Sequence, residues 1–249
     1  MTQNFYDKVA KKFGRYHTGA RYVKEFTDGD PEEVFKQKLI EVSGKEKQAL
    51  DMGSADGRFT LSMARYFKRI VAIDSSEGML ASARNLQKEK HSTNVSFEKE
   101  DAFKTSYSDG SFDVIHGRRG PTPYSEIHRL LKPDGFFIEI GIGEQDTRSL
   151  METFGRGQGY GEWDNPRLPR AKKQVEDLGF NIVYADEFFY HEYYASYDDL
   201  DLFLQGVPIF EDFDSEKDKV NLQKYVKENT TDRGIRLKRH RTVVLVRKK

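Results

Sequence analysis

A glycine-rich stretch flanked by acidic residues carries the clearest chemical signal in this sequence. It reads Asp51-Met-Gly-Ser-Ala-Asp-Gly57, and Asp74 stands at the end of the next apolar run. Glycines at such a turn let a ligand approach the backbone N–H groups closely. A carboxylate at the tip of the following strand can accept hydrogen bonds from both hydroxyls of an adenosine ribose. The combination predicts a site for a ligand that contains a nucleoside.

The residues around this stretch have the periodicity of a strand, a turn, a helix and a second strand. Residues 49–52 form an apolar run that predicts a buried strand. Phe59, Met63 and Phe67 then recur at the i+4 spacing of a helix, and residues 69–74 predict the second strand. Such a unit belongs to a parallel α/β sheet, in which it brings the turn and Asp74 to the same edge.

The spacing of the glycines distinguishes two classes of cofactor. A dinucleotide motif needs G-x-G-x-x-G, because the diphosphate lies on the helix N-terminus. Here Arg58 stands where the third glycine of that motif would fall. The spacing Gly53-x-Ala55-x-Gly57 after Leu-Asp resembles instead motif I of the class I S-adenosylmethionine (SAM) methyltransferases, with Ala55 at the middle glycine.

A second resemblance lies further along the chain. Asp-Gly-Ser-Phe-Asp-Val (109–114) precedes Glu-Ile-His-Arg-Leu-Leu-Lys-Pro-Asp-Gly-Phe (126–136). This arrangement is very similar to the region after strand 4 of the methyltransferases of ubiquinone and menaquinone biosynthesis. The resemblance covers residues 46–142 and implies an α/β, Rossmann-like fold with a seven-stranded sheet. Such a sheet is mostly parallel with an antiparallel last strand, and we expect N-terminal helices and an inserted helical lid.

The predicted organisation is a single methyltransferase domain over residues 1–249. Four glycines within residues 155–161 favour a mobile loop, and two helical stretches near the C-terminus favour a lid. The predicted parts are an N-terminal helical cap (1–47), a SAM-binding core (48–142), a glycine-rich loop (143–167) and a C-terminal part of the core (168–249) with a lid at about 188–230.

The resemblance also implies which residues contact the cofactor. Residues of motif I lie near its methionine end, Asp74 binds the ribose, and Asp101 with its neighbours surrounds the adenine. The predicted set is Asp51, Gly53, Ser54, Gly57, Asp74, Ser75, Met79, Asp101, Ala102 and Phe103.

Methyl transfer from a sulfonium is an in-line displacement, so the protein contributes mainly alignment and exclusion of water. His116, at the end of the predicted fourth strand, is the candidate general base, with a structural histidine as the alternative. Arg118 and Arg119 follow it, and two guanidiniums suit a carboxylate or phosphate on the acceptor. The alternative for this pair is a surface contact with acidic neighbours.

Four tyrosines are candidates for the substrate pocket. The alternative is two exposed tyrosines on a packed helix for the first pair, and packing of the hydrophobic core for the second pair. Two lie in the N-terminal segment, which resembles the segment that folds over the cofactor in small-molecule methyltransferases. The other two lie in an aromatic-rich stretch before the predicted lid helices. They are Tyr6, Tyr16, Tyr190 and Tyr194.

Composition limits the remaining classes of function. The chain has 41 basic and 41 acidic residues, so its zero net charge gives no general attraction to nucleic acid or anionic membranes. The absence of cysteine excludes disulfides and thiolate metal sites, and the other ligand types are not clustered, so we predict no metal. No apolar run approaches the ~20 residues of a spanning helix, and the start of the chain has no signal-peptide core. We expect a cytoplasmic monomer or homodimer.

Three functions follow, in order of preference. The first is a SAM-dependent methyltransferase whose acceptor is a small metabolite, anionic in the interpretation that uses the arginine pair. The acceptor atom is open among oxygen, nitrogen, carbon and sulfur. The alternative is an RNA methyltransferase that uses the basic residues 233–241 and 247–249. The third is a SAM-binding module without catalysis.

Overall fold

A computed structural model describes the backbone of residues 2–249 and the side chains from Phe5 onward. In this part of the chain, the residues form two compact units. The core unit consists of Pro31–Gly141, Leu168–Asp186 and Thr242–Lys249. The second unit, here the insert unit, consists of the chain up to Asp30, Ile142–Arg167 and Glu187–Arg241.

The helices and strands alternate along most of the chain. In chain order they are α1 (Thr2–Phe13), β1 (Tyr22–Phe26), α2 (Pro31–Val42), β2 (Gly44–Met52), α3 (Arg58–Met63), β3 (Phe67–Asp74), α4 (Glu77–Glu89), β4 (Val95–Lys99), β5 (Phe112–Arg118), α5 (Tyr124–Leu130), β6 (Leu131–Ile142), α6 (Arg148–Phe154), α7 (Arg167–Asp177), β7 (Phe180–Tyr194), α8 (Tyr197–Leu204), α9 (Lys219–Asn229), β8 (Thr230–Thr231) and β9 (Gly234–Lys248).

The sheet of the core unit has the strand order β7-β9-β6-β5-β2-β3-β4. The pairs β2/β3, β2/β5, β3/β4 and β5/β6 are parallel. These strands belong to a sheet of nine strands in the described residues, which also contains β1 and β8. The predicted mostly parallel, Rossmann-like fold is thus confirmed, but the predicted number of seven strands is too low. Its central strands are covered on both faces, which is why they read as nearly continuous apolar runs. Leu50, Val71 and Ile115 are all buried in one hydrophobic cluster with residues of α5 and α7.

The insert unit contains the strands β1 and β8 and has its own hydrophobic core. Strand β1 pairs antiparallel with β7, with Tyr22 opposite Tyr194 and Phe26 opposite Tyr190. Strand β8 pairs antiparallel with β9. The core is formed by α6, α8, α9 and these strands, and Phe154 stacks on Phe210 with ring centroids 4.4 Å apart.

Four predictions about the elements were wrong in part. The helix after the glycine turn ends at Met63, and Phe67 begins β3, because a short 3-10 turn separates the two. The predicted helical cap contains the strand β1, and the predicted loop 143–167 contains the helix α6. Residues 188–194 of the predicted lid continue the strand β7. The helices α8 and α9 cover nearly the same residues as the two helices predicted for the lid.

Two negative findings apply to the described residues. None of their helices combines the length and the apolar character needed to cross a membrane. No group of three or more His, Asp or Glu side chains among them has the arrangement of a metal site.

Candidate active site

The turn between β2 and α3 is held to the tip of the neighbouring strand. Its backbone is left-handed at Gly53 (φ 78°), Ala55 (φ 46°) and Gly57 (φ 72°). The N–H groups of Gly53 and Ser54 both donate to the carbonyl of Ile73, at 3.0 and 2.9 Å. Alanine at φ 46° costs roughly 1–2 kcal/mol relative to a right-handed conformation. The substitution of the middle glycine is therefore tolerated but strained.

Asp74 joins the tip of β3 to this turn. Its Oδ2 accepts a hydrogen bond from the N–H of Ala55, and its Oδ1 accepts one from the N–H of Ser76, both at 2.9 Å. Burial raises the pKa of Asp74, and the N–H groups of Ser76 and Ala55 oppose that shift. The N–H of Ser75 also hydrogen-bonds to this carboxylate, which has about four acceptor sites and so keeps capacity for a ligand. Asp74 is thus oriented for the predicted contact with a ribose.

Gly57 has a packing role that the sequence does not reveal. A Cβ atom at this position would lie 2.6 Å from Cζ of Phe97 and 2.9 Å from Cβ of Ala83. Gly57 is buried at the end of the turn, where these two side chains pack directly against it. The structure therefore accounts for this glycine by the close approach of the turn to β4 and α4, while its predicted contact with the cofactor stays a prediction.

The start of α4 contains two further predicted residues. Ser76 is its N-cap, since the Ser76 hydroxyl accepts a hydrogen bond from the N–H of Met79 at 3.2 Å. Ser75 is exposed beside Asp74, as a ligand contact requires. The side chain of Met79 is completely buried in the core unit, so its position fits core packing.

The three residues predicted to surround the adenine follow β4. Asp101 is exposed, and its Oδ1 accepts a hydrogen bond from the N–H of Phe103 at 2.9 Å. Ala102 packs against the hydrophobic cluster of the core unit. Phe103 is 66% exposed, which leaves its ring face available. A large exposed aromatic ring next to a carboxylate suits stacking on a base.

His116 lies against Asp51 inside the core unit. The two residues are opposite each other on β5 and β2, with Nδ1 of His116 3.3 Å from Oδ1 of Asp51. Oδ2 of Asp51 accepts a hydrogen bond from the Thr60 hydroxyl at 2.5 Å. The His116 ring is fully buried beside Phe35 and Phe59, and burial lowers its pKa although Asp51 opposes the shift. Neither ring nitrogen of His116 has a hydrogen-bond partner among the described residues, so the alternative of a hydrogen-bonding structural histidine is not seen, and the role of His116 as a base stays a prediction.

Arg118 and Arg119 both bind Glu32, which the sequence analysis did not single out. Nη2 of Arg118 donates to Oε2 of Glu32 at 2.5 Å, and Nη1 of Arg119 donates to Oε1 of the same carboxylate. The guanidinium of Arg118 also lies 4.3 Å from the ring centroid of Phe59. Glu32 stands in the first turn of α2. The structure thus shows the alternative interpretation of the pair, a contact with an acidic neighbour.

A second carboxylate missed by the sequence analysis organises the segment after β5. Glu139 on β6 is 2% exposed and lies opposite Gly117 of β5. It accepts hydrogen bonds from the hydroxyls of Thr122 at 2.7 Å and Tyr124 at 2.6 Å. Its only signal in the sequence is a charge within the apolar run of residues 136–140. Glu139 therefore fixes the connection that begins with the two arginines.

The four candidate pocket tyrosines all lie in the insert unit. The rings of Tyr6 and Tyr16 are partly buried, with centroids 5.8 Å apart. Tyr194 is completely buried, and its hydroxyl donates to Glu192 at 2.9 Å. Tyr190 is 3% exposed and packs on Phe26. Core packing, the alternative interpretation, explains Tyr194 fully and the ring of Tyr190.

Two arginines of the basic residues 233–241 point into the protein and not to the surface. Arg239 donates from Nε to Oδ1 of Asp146 at 2.9 Å and from Nη1 to Oε2 of Glu192 at 2.5 Å. Nη1 of Arg241 lies 2.7 Å from Oδ1 of Asp146. All four side chains are buried in the insert unit. These two arginines therefore stabilise a buried ion network and do not form a basic surface for RNA.

This network predicts a pH dependence of stability. Burial alone would raise the pKa of Asp146, but the Arg239 and Arg241 guanidiniums lower it to about 2. A lowered carboxyl pKa stabilises the fold fully above the ordinary value of 3.8, and the stabilisation is lost as the pH falls toward about 2. Asp146→Asn should lower the free energy of unfolding at pH 7 by roughly 3 kcal/mol, because it leaves buried guanidiniums without a counter-charge. The difference in the free energy of unfolding between the wild type and Asp146→Asn should be constant from pH 7 to pH 4 and become smaller below pH 4.

Urea unfolding of both proteins at several pH values measures this difference. Asp232→Asn, at an exposed position of the same unit, is the matched control and should change stability little at any pH. A deficit of Asp146→Asn that is small at pH 7, or that grows toward low pH, would contradict the assignment.

Comparisons with known proteins agree with this geometry. Residues 43–156 match a family model described as a methyltransferase domain. A demethylmenaquinone methyltransferase of Leptospira interrogans is 28% identical over 159 residues, which cover 58% of this chain and 61% of that protein. An uncharacterized methyltransferase, YcgJ of Bacillus subtilis, is 30% identical over 102 residues, which cover 38% of this chain and 40% of that protein. The chain thus matches less than two thirds of the length of these relatives.

Solved structures share the fold at low sequence identity. A putative methyltransferase from Bacillus halodurans has a TM-score of 0.66 at 17% identity, with 87% of this chain and 99% of that chain covered. A putative sarcosine dimethylglycine methyltransferase from Galdieria sulphuraria has a TM-score of 0.61 at 14% identity, with 99% and 98% covered. Residues 43–156 are thus similar to a methyltransferase domain, and the chain shares the fold of these solved structures.

Proposed function

We propose that this protein transfers a methyl group from SAM to a small molecule. The observation that carries the proposal is the turn of residues 53–57, which is held against Asp74 at the carboxyl ends of parallel strands. In open α/β sheets, ligands bind at this edge. The match of residues 43–156 to a methyltransferase domain supports the same assignment.

The residues of the turn fit the cofactor. The hydroxyl of Ser54 is buried and has no hydrogen-bond partner among the described residues, so a polar group of a ligand would satisfy it. A Cβ atom on Gly53 would come no nearer than 3.9 Å to Cα of Gly120, so the turn has room on that side. We assign Gly53 and Ser54 to the methionine end, Asp74 to the ribose, and Asp101 to the adenine. When bound, SAM supplies a methyl group already activated by its sulfonium.

The chain itself must align the acceptor and exclude water. The segment after β5 is suited to this task because Glu139 holds Thr122 and Tyr124 on one side, and Glu32 holds both arginines on the other. A rigid segment keeps an acceptor atom in line with the bond that breaks, within ~3–3.5 Å of the reacting carbon.

The test is turnover of methyl-labelled SAM by the full chain. Reduced demethylmenaquinone is the first acceptor to try, since the Leptospira relative is named for it, and a metabolite extract follows. A labelled product that disappears with Asp74→Ala would support the proposal. Binding of SAM without any labelled product from either source would favour the non-catalytic module instead.

The anionic acceptor predicted from the arginine pair is tested separately. If one guanidinium binds an acceptor carboxylate or phosphate, Arg118→Lys or Arg119→Lys should lower acceptor turnover by about tenfold, because lysine keeps the charge but loses the fork. Affinity for S-adenosylhomocysteine should stay nearly unchanged. The steady-state turnover of the identified acceptor and calorimetry with S-adenosylhomocysteine measure the two effects.

Glu32→Gln is the matched control for this prediction. Because Glu32 binds both arginines, the glutamine variant should raise the affinity for an anionic acceptor by removing a competing carboxylate. If both lysine variants keep their turnover, or if the acceptor is neutral, the anionic-acceptor hypothesis is wrong. Arg118 and Arg119 then serve only the contact with Glu32.

A further inference from the structure

A buried carboxylate and a buried imidazole lie next to the glycine turn of the core unit. Asp51 on β2 stands two residues before Gly53, and His116 faces it from β5, with Nδ1 3.3 Å from Oδ1 of Asp51. The other carboxylate oxygen accepts a hydrogen bond from the Thr60 hydroxyl at 2.5 Å. No lysine or arginine among the described residues forms an ion pair with Asp51. A carboxylate buried without a full positive charge beside it is costly, so this one requires an explanation.

The side chains packed around the imidazole are apolar. The ring of His116 lies 6.5 Å from that of Phe35 on α2 and 5.9 Å from that of Phe59 on α3, measured between ring centroids. On the other side, Ile138 of β6 is opposite His116 in the register of the sheet. Apolar surroundings screen a charge less than water does, so the charge of this pair acts over a longer distance than it would on the surface.

Two charged neighbours act on His116. Burial lowers the pKa of His116, Asp51 opposes that shift, and Arg118 on the same strand adds to it. The charge of Arg118 is itself balanced, because its Nη2 donates to Oε2 of Glu32 on α2 at 2.5 Å. At neutral pH the imidazole is therefore uncharged, and the pair of Asp51 and His116 has one negative charge. Protonation of the imidazole, which occurs below the ordinary pKa of 6.5, cancels that charge.

A negative charge at this place favours a cation at the turn. Residues of a strand advance about 3.3 Å each, so the Cα atoms of Asp51 and Gly53 are roughly 7 Å apart. SAM differs from its demethylated product, S-adenosylhomocysteine, by one methyl group and one positive charge at sulfur. The two ligands share the adenosine and the amino-acid end, so the predicted ribose contact of Asp74 acts on both alike. A charge close to the turn, by contrast, distinguishes them.

We propose that Asp51 and His116 select the sulfonium of SAM over the neutral thioether of S-adenosylhomocysteine. This role rests on the proposed function, which assigns the turn to the methionine end of the cofactor. Asp51 supplies the charge that attracts the sulfonium. His116 acts through Asp51, because the neutral imidazole leaves that charge in place and the protonated imidazole cancels it. Such a preference favours the exchange of the product for a new molecule of cofactor after each transfer.

The test measures the affinities of the full chain for SAM and for S-adenosylhomocysteine by calorimetry at pH 7 and pH 5. In the wild type, the ratio of the SAM affinity to the S-adenosylhomocysteine affinity should fall by about tenfold from pH 7 to pH 5. His116→Gln should keep the high ratio at both pH values, because glutamine is not protonated. Asp51→Asn should have a ratio about tenfold lower than the wild type at pH 7, and the same low ratio at pH 5. Titration of Asp74 changes both affinities and therefore cancels in the ratio.

His128→Gln is the matched control. His128 is a half-buried histidine of the same unit, its ring packs on Phe180, and burial lowers its pKa as well. This variant should show the pH dependence of the wild type. A second measurement uses the wild-type chain alone, namely NMR titration of the His116 imidazole in the two complexes. Because linkage is reciprocal, the pKa of His116 should be lower with SAM bound than with S-adenosylhomocysteine bound.

Two calorimetric results would overturn this role. One is a wild-type ratio that stays constant from pH 7 to pH 5, and the other is a pH dependence in His116→Gln equal to that of the wild type. If circular dichroism shows that His116→Gln does not fold, the NMR titration decides, and equal pKa values of His116 in the two complexes then overturn the role. Binding of neither ligand at pH 7 would contradict the proposed function itself, and the selection of the sulfonium would fall with it.

Discussion

Replacement of Asp74 by alanine is expected to weaken binding of SAM and S-adenosylhomocysteine by about tenfold or more. Two charge-assisted hydrogen bonds to the ribose would be lost, each worth ~1.5–3 kcal/mol. The structure adds a second reason, because Asp74 also holds the N–H groups of Ala55 and Ser76. The variant therefore loses a ligand contact and the restraint on the turn that presents the backbone to the ligand.

Asp74→Asn separates these two contributions. Asparagine keeps one oxygen that can accept from the turn, but it loses the charge and places an N–H₂ group where the second acceptor stood. We expect its affinity to lie between those of the wild type and the alanine variant. Calorimetry with S-adenosylhomocysteine measures all three proteins. An affinity of Asp74→Ala equal to that of the wild type would remove Asp74 from the site.

Replacement of Gly57 by alanine is expected to lower the free energy of unfolding of the core unit by roughly 2–5 kcal/mol. The left-handed backbone at φ 72° costs an alanine about 1–2 kcal/mol. The new Cβ atom would lie 2.6 Å from Cζ of Phe97, and crowding of this kind in a packed core typically costs about 1–3 kcal/mol. Denaturant unfolding followed by circular dichroism measures the change.

Gly179→Ala is the matched control, because Gly179 lies in the same unit at φ 87° and an added Cβ atom meets nothing within 4 Å. This variant should show only the backbone part of the loss, about 1–2 kcal/mol. Equal losses in the two variants would mean that the contact of Gly57 with Phe97 and Ala83 contributes nothing to stability.

The parts of the fold that the sequence predicted are those with a strong local signal. Strands β3 and β5 read as apolar runs because parallel strands covered on both faces are apolar on both. The glycines marked the turn because only a glycine adopts a left-handed backbone without strain. Strand β1, by contrast, pairs only with β7 within the described sheet and is half exposed, so its sequence lacks a continuous apolar run.

The residues that were missed make contacts between distant parts of the chain. Glu32 meets Arg118 across 86 residues, and Arg239 meets Asp146 across 93. No local pattern marks such pairs, because the topology brings them together. Met79, predicted to contact the cofactor, is completely buried, because an apolar residue near a ligand site gives the same signal in the sequence as one that packs in the core.

Calorimetric titration of the full chain with S-adenosylhomocysteine, in parallel with NAD, tests the central claim most directly. The account predicts saturable binding of one S-adenosylhomocysteine per chain, weakened about tenfold or more by Asp74→Ala, and no comparable binding of NAD. Tight binding of NAD together with no heat from S-adenosylhomocysteine would contradict the assignment of the turn and of Asp74 to a methyltransferase cofactor site.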